Sequence, residues 1–189
     1  MGFAGASTLA AAVIALLLRG IDEQGVGFAN VSAARVAFIF FWLAYVSGSL
    51  AALFGTRFVA LARHRREFGL AFAAALFVHL ILVGWLFRIA AQQPLSDAWI
   101  AYFAIGALCV YALALGSARQ FRDITTTRAW RIFSAIALNY IAFLFFRDFV
   151  LLPLLDGTRI PLSELPFAVL SVVGPLLRLA AGLRRWSTT

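Results

Sequence analysis

The sequence predicts an all-α membrane protein, a bundle of six transmembrane helices with both termini cytoplasmic. Three observations predict it. The 189 residues are 63% hydrophobic and 13% charged, whereas a soluble domain is about half apolar and about a quarter charged. Six apolar runs reach or approach the roughly 20 helical residues that cross a bilayer core of about 30 Å. Arginines crowd into alternate connections between those runs. The length allows one transmembrane domain over residues 1–189, with no soluble catalytic domain beside six spans.

The first run, Phe3–Leu18, is the shortest. No basic segment precedes it and Arg19 follows it, the pattern of a retained helix and not of a cleaved signal peptide. The second run is Val36–Phe54, the third Phe68–Phe87 and the fourth Ala98–Ala118. The fifth, Ile132–Leu155, is interrupted by Arg147 and Asp148. The sixth, Leu165–Leu183, is entered past Pro161 and Pro166 and interrupted by Arg178, and Pro175 is expected to kink it. The runs are apolar on both faces, unlike the alternating strands of a barrel. A helix satisfies its own backbone groups in lipid.

All sixteen basic residues are arginine, and the net charge is +8. Arg57, Arg63, Arg65 and Arg66 lie between runs two and three. Arg119, Arg122, Arg128 and Arg131 lie between four and five, and Arg184 and Arg185 follow six. The alternate connections hold fewer: Arg19 and Arg35, then Arg88, then Arg159. The positive-inside rule places the rich loops in the cytoplasm, and six spans then return both termini there. Trp85, Trp99, Trp130 and Trp186 fall near run ends, where amphipathic rings anchor at the interface. Arginine without lysine points to a GC-rich bacterial source, hence a bacterial cytoplasmic membrane. The basic clusters lack a soluble fold to display them, so the expected partners are the lipid bilayer and other membrane subunits and not nucleic acid.

Few residues carry chemistry. Cys109 is the single cysteine, so no internal disulfide or CxxC site exists, and it reads as a small apolar packing residue. His64 sits among charges in Arg63-His64-Arg65-Arg66 and reads as a solvated loop residue. His79 lies about eleven residues into the third run, near the bilayer midplane. An imidazole at that depth either serves a function or bonds a neighbouring helix. Arg147 either marks the membrane boundary, its guanidinium snorkelling outward, or, like Arg35, pairs with an anionic group. Neighbouring residues lie about 100° apart on a helix, so Arg147 and Asp148 need not pair with each other. Asn139 and Tyr140 read as packing residues of the fifth run. No GxGxxG or phosphate-cradling motif is present, and no complete catalytic site is visible.

Arg65-Arg66-Glu67-Phe68-Gly69-Leu70, with His79 ten residues after Gly69, carries a family pattern. Ala34-Arg35-Val36-Ala37 and Trp130-Arg131-Ile132-Phe133 add to it. Over about residues 34–150 the chain resembles the ferric-reductase-like transmembrane domain superfamily, to which the membrane haem subunit of bacterial methionine sulfoxide reductase belongs. The resemblance implies six spans and a haem-ligating histidine on the third, here His79. It also implies histidines near the start of the fifth span and about thirteen residues later. Those places hold Phe133 or Ser134, then Phe146 or Arg147.

Two expectations follow. The first is a haem-free or haem-depleted accessory subunit packed in a larger membrane electron-transfer, photosynthetic or respiratory complex. In it, Phe133 and Phe146 close part of the former haem site, and the Phe143, Phe145, Phe146 and Phe149 face packs on lipid, a partner helix or a pigment. The alternative is a membrane oxidoreductase subunit with one b-type haem on His79, with Arg35 and Arg147 toward the propionates. Its electron donor would be another chain or a quinol.

Overall fold

The structure is a computed structural model that describes residues 2–91, 96–117 and 122–186, without the side chains at 2–7, 11, 122 and 185. Every regular element among these residues is helical. In chain order they are α1 (Gly2–Arg19), α2 (Glu23–Phe54), a 3₁₀ turn (Gly55–Phe58), α3 (Val59–Arg63), α4 (Arg65–Ile89) and α5 (Asp97–Gly116). Then come α6 (Arg122–Thr126), α7 (Arg128–Phe146), a π-helical stretch (Arg147–Leu151), α8 (Leu152–Leu155) and α9 (Leu165–Trp186). Five segments are long and apolar enough to cross a membrane: α2 with its continuation to Arg63, α4, α5, α7 through α8, and α9. The apolar α1, with 18 residues, is shorter.

The second helix corrects the expected boundary. It begins at Glu23, thirteen residues before Val36, so most of the expected connection between runs one and two is helix. Asp22 caps it, its carboxylate accepting from Gly25 N at 2.8 Å. Val26, Ala29 and Ala33 are buried beneath it. The glycines and polar residues between Gly20 and Arg35 disguise this stretch, since glycine lowers helix propensity by about 1 kcal/mol relative to alanine. Packing outweighs that cost. Ala12 and Ala15 of α1, Ala29 and Ala33 of α2 and Leu82 of α4 form one cluster in which small residues let the backbones close up. The connection is tight. Gly20 turns at φ +90, and a Cβ on Gly25 would lie 2.0 Å from the Gly20 carbonyl oxygen.

At 32 residues α2 is about 48 Å long, well beyond the thickness of a hydrocarbon core. Its partners divide it. Arg65, at the start of α4, donates to Ala44 O, and His79 faces Asn30 O; the contacts are fourteen residues apart on both helices, as antiparallel packing requires. Along the other face α9 runs parallel to α2, from the Arg35–Glu164 ion pair, past Trp42 Nε1 donating to Leu170 O, to Arg184 donating to Ala52 O and Leu53 O. So α4 and α9 flank the middle of α2 together, α4 reaching further toward its start and α9 toward its end. Gly174 permits the close approach, because a Cβ there would already lie 3.2 Å from the Trp42 indole nitrogen.

The core between α2, α4, α7 and α9 is aromatic. Phe38 meets Phe145, Phe149 and Phe167 edge-on at 4.9, 5.2 and 5.9 Å. Phe41 lies 5.3 Å from both Phe72 and Phe145. Such pairs contribute about 0.5–1.5 kcal/mol each beyond burial. Phe145 and Phe149 thus belong to the interior, while Phe143 on the same helix is exposed. Large apolar side chains elsewhere face outward on several helices, among them Leu17, Leu108, Ile136 and Leu179, a distribution compatible with contact with a lipid bilayer. The charges are polar in arrangement. Asp22, Glu23, Asp97, Asp148, Asp156 and Glu164 belong to one end of the bundle, and Glu67 and Asp123 to the end carrying Arg57, Arg63, Arg65, Arg66, Arg128, Arg131 and Arg184.

Candidate functional site

A cleft of about 930 Å³ opens at the arginine-rich end, between α2 and α4 on one side and α5 and α7 on the other. The local folding explains it. After α2 the chain turns at Gly55 (φ +71) and folds back as the 3₁₀ turn and α3, so that Arg63, Arg65 and Arg66 come level with the last turns of α2. On the far wall α5 and α7 approach closely at Gly116, where the Trp130 indole occupies the space that a Cβ would need. With Trp130 held there, α7 leans on α5 and leaves a gap toward α4.

The cleft is amphipathic. Phe41, Phe72, Val110, Leu138 and Ile141 line its interior, and Arg63, Arg65 and Arg66 line it with Ser117, Thr125, Trp130 and Ser134. No carboxylate contributes to the lining. Among the described residues none of the three arginines forms an ion pair. Glu67, the nearest acid in sequence, is engaged by His64 Nδ1 at 2.8 Å. The Ser117 and Ser134 hydroxyls donate to Leu113 O and Arg131 O of their own helices.

The expected haem residues are dispersed. His79 does not line the cleft. It points toward α2, its Nδ1 3.2 Å from Asn30 O. Arg35 Nη2 donates to Glu164 Oε1 at 3.2 Å and its guanidinium lies 5.6 Å from the Phe167 ring, while its buried Nε has no partner among the described residues. Arg147 is 6% exposed and pairs with Asp148 Oδ1 at 2.6 Å. The long arginine side chain spans the angular separation of neighbouring residues, so the two do pair. Its guanidinium lies 3.5 Å from the Trp99 ring centroid, a buried cation–π contact and not a snorkelling one.

Of the residues on the fifth run, Phe133 packs on Trp130 at 5.4 Å, and neither it nor Phe146 lines the cleft. Phe145 takes the place expected of them, 6.1 Å from Phe72 across α4 and α7. Ser134 alone of those positions reaches the cleft. Asn139 joins helices, accepting from Tyr45 Oη at 2.8 Å, and Tyr140 Oη donates to Tyr102 O. Arg119 and Met1 lie outside the described residues, as do the side chains of Arg122 and Arg185.

The cleft therefore offers no axial ligand to a haem iron. The cleft lining contains no imidazole, thiol, thioether or phenol, the side chains that ligate haem iron. No group of three or more His, Cys, Asp or Glu suited to a metal ion occurs among the described residues. What the cleft does offer is three guanidinium groups over an apolar interior, the chemistry of an anionic headgroup with a hydrocarbon body. Nothing in the sequence marks the cleft as one site, because its residues come from six separate elements; the only signal is the density of arginine around Arg63–Arg66. No protein-family model, curated protein or solved structure matches the chain. The ferric-reductase-like resemblance rests on the motif residues alone.

Proposed function

We propose that this protein is a haem-free, non-catalytic membrane subunit whose cleft holds an anionic amphiphile, a phospholipid with its acyl portion against Phe41, Phe72 and Ile141 and its phosphate at Arg63 and Arg66. Its helices cross the bilayer six times, with both termini and the cleft mouth at the cytoplasmic face. The observation that carries this reading is the cleft itself: about 930 Å³, near the upper end of small-molecule sites, lined by three arginines that no carboxylate among the described residues neutralises. Basic pockets between transmembrane helices at the cytoplasmic side suit anionic lipid headgroups. In a larger membrane electron-transfer complex such a subunit would serve as an accessory component.

Protein purified in mild detergent from haem-replete cells and extracted with organic solvent tests the reading. Anionic phospholipid should be retained in preference to phosphatidylcholine, and Arg63→Gln with Arg66→Gln should lower the retained amount about ten- to hundredfold, the effect of losing charge-assisted hydrogen bonds. Ser134→Trp, which places a bulky ring in the cleft, should do the same with the arginines intact. Equal retention in all three proteins sinks the proposal. A Soret band that disappears in His79→Ala would restore the haem alternative.

A further inference from the structure

A second, smaller cavity lies on the opposite side of Arg65, between α2 and α9, with a volume of about 180 Å³. Tyr45, Gly48 and Ser49 of α2, Arg65 of α4, and Arg178 and Gly182 of α9 line it. It brings together two guanidinium groups from helices far apart in sequence. Arg65 is held by its Nε donating to Ala44 O at 3.0 Å. Arg178 lies 4.4 Å from the Tyr45 ring centroid, and Tyr45 is itself fixed by its hydrogen bond to Asn139. Neither arginine has a carboxylate partner among the described residues.

Two like charges sharing a small, partly open cavity repel. The glycines make room: a Cβ at Gly182 would meet nothing within 4 Å. The Tyr45 ring and the Ala44 carbonyl orient both guanidinium planes before any ligand arrives. Arginine presents paired N–H donors suited to phosphate oxygens. The main cleft differs, since its interior is apolar and it is about five times larger.

The geometry points to a phosphoryl-group site in this cavity, in which one oxyanion is clamped between Arg65 and Arg178. It is distinct from the main cleft and shares only Arg65 with it. The oxyanion belongs either to the headgroup of an acidic phospholipid, whose phosphate no choline offsets, or to free phosphate, and the chemistry of recognition is the same for both.

The test uses full-length Arg63→Gln/Arg66→Gln protein, in which the main cleft keeps only the arginine that it shares with this cavity. It is placed in phosphatidylcholine nanodiscs, in nanodiscs that also contain phosphatidylglycerol, and in phosphatidylcholine nanodiscs with added inorganic phosphate. Thermal unfolding is followed in each. The site predicts a higher melting temperature in at least one of the two anion arms: with phosphatidylglycerol alone for a lipid headgroup, with inorganic phosphate for the free ion. Adding Arg178→Gln should abolish that increment, Arg178→Lys should restore part of it, and Gly182→Leu, which fills the cavity and keeps both arginines, should abolish it too. In phosphatidylcholine alone Arg178→Gln should melt no lower than its parent, because it relieves a repulsion. No increment in either arm, or an increment that survives both Arg178→Gln and Gly182→Leu, overturns the site.

Discussion

At the residue scale, the arginines within apolar segments each meet a different fate. Arg147 is buried against Asp148 and Trp99, Arg35 is half-buried against Glu164, and Arg178 has an aromatic face and, among the described residues, no acid. A buried charge stripped of its partner is costly, while replacing the whole pair by apolar groups of similar size is close to neutral. Asp148→Leu should therefore destabilise the protein by about 1–3 kcal/mol, the cost of leaving a buried polar group unmatched, tempered by the partial exposure of Asp148. The double variant Arg147→Met/Asp148→Leu should recover most of that loss. Unfolding of the two variants in bicelles compares them directly, and a double variant less stable than the single one would contradict the pairing. His79 follows the same logic of satisfaction: its Nδ1 meets Asn30 O, which ties α4 to the extension of α2 that the expected boundary omitted.

At the scale of elements, the decisive feature is the length of α2. Its first half exists as helix because α1 and α4 bury it, and α1 can dock only through the turn at Gly20. Gly25 is the point at which this turn and the helix touch, backbone to backbone. Neither side can yield as a flexible side chain would. Gly25→Ala should thus separate α1 from α2, with a loss of about 1–3 kcal/mol, in the usual range for a strongly felt single substitution. The expected readout is new protease cleavage near residues 19–23 while the α2–α9 contacts persist. Unchanged protection there would show that the turn relaxes without undocking α1. The π-helical stretch after α7 is the other irregular element. It carries Arg147 and Phe149 inward together, one to the Trp99 ring and one to the Phe38 cluster.

At the scale of the whole molecule, the charges separate between the two ends of the bundle. Most carboxylates gather at one end and most of the arginines at the other, so the two ends differ in kind as well as in arginine count. A single exposed cysteine at Thr56, introduced after Cys109→Ala, should react with an impermeant reagent only from the cytoplasmic side of inside-out vesicles. One at Asp156 should react only from the outer side of intact cells. Labelling of both from the same side would break the six-crossing topology, and inversion of the pair would place the cleft mouth on the outer face.

The sequence by itself determined the all-helical class with helices apolar enough for a membrane, the positions of four of the five long apolar helices and the bias of arginine toward alternate connections. Each of these is a sum over neighbouring residues: transfer into lipid and the arginine bias are read within one segment and need no knowledge of the others. Only the tertiary structure decided where α2 begins, where His79 points, that Arg147 pairs with Asp148, that Phe145 and Phe149 fill the core, and that Arg65 meets Arg178. Those outcomes depend on the rotation and register of one helix against another. A helix that is apolar nearly all round carries little record of which face will be covered, so hydropathy locates such a helix and leaves its orientation to packing. The cleft is the extreme case, because it consists of the space that six elements fail to fill between them, and no single stretch of sequence encodes it.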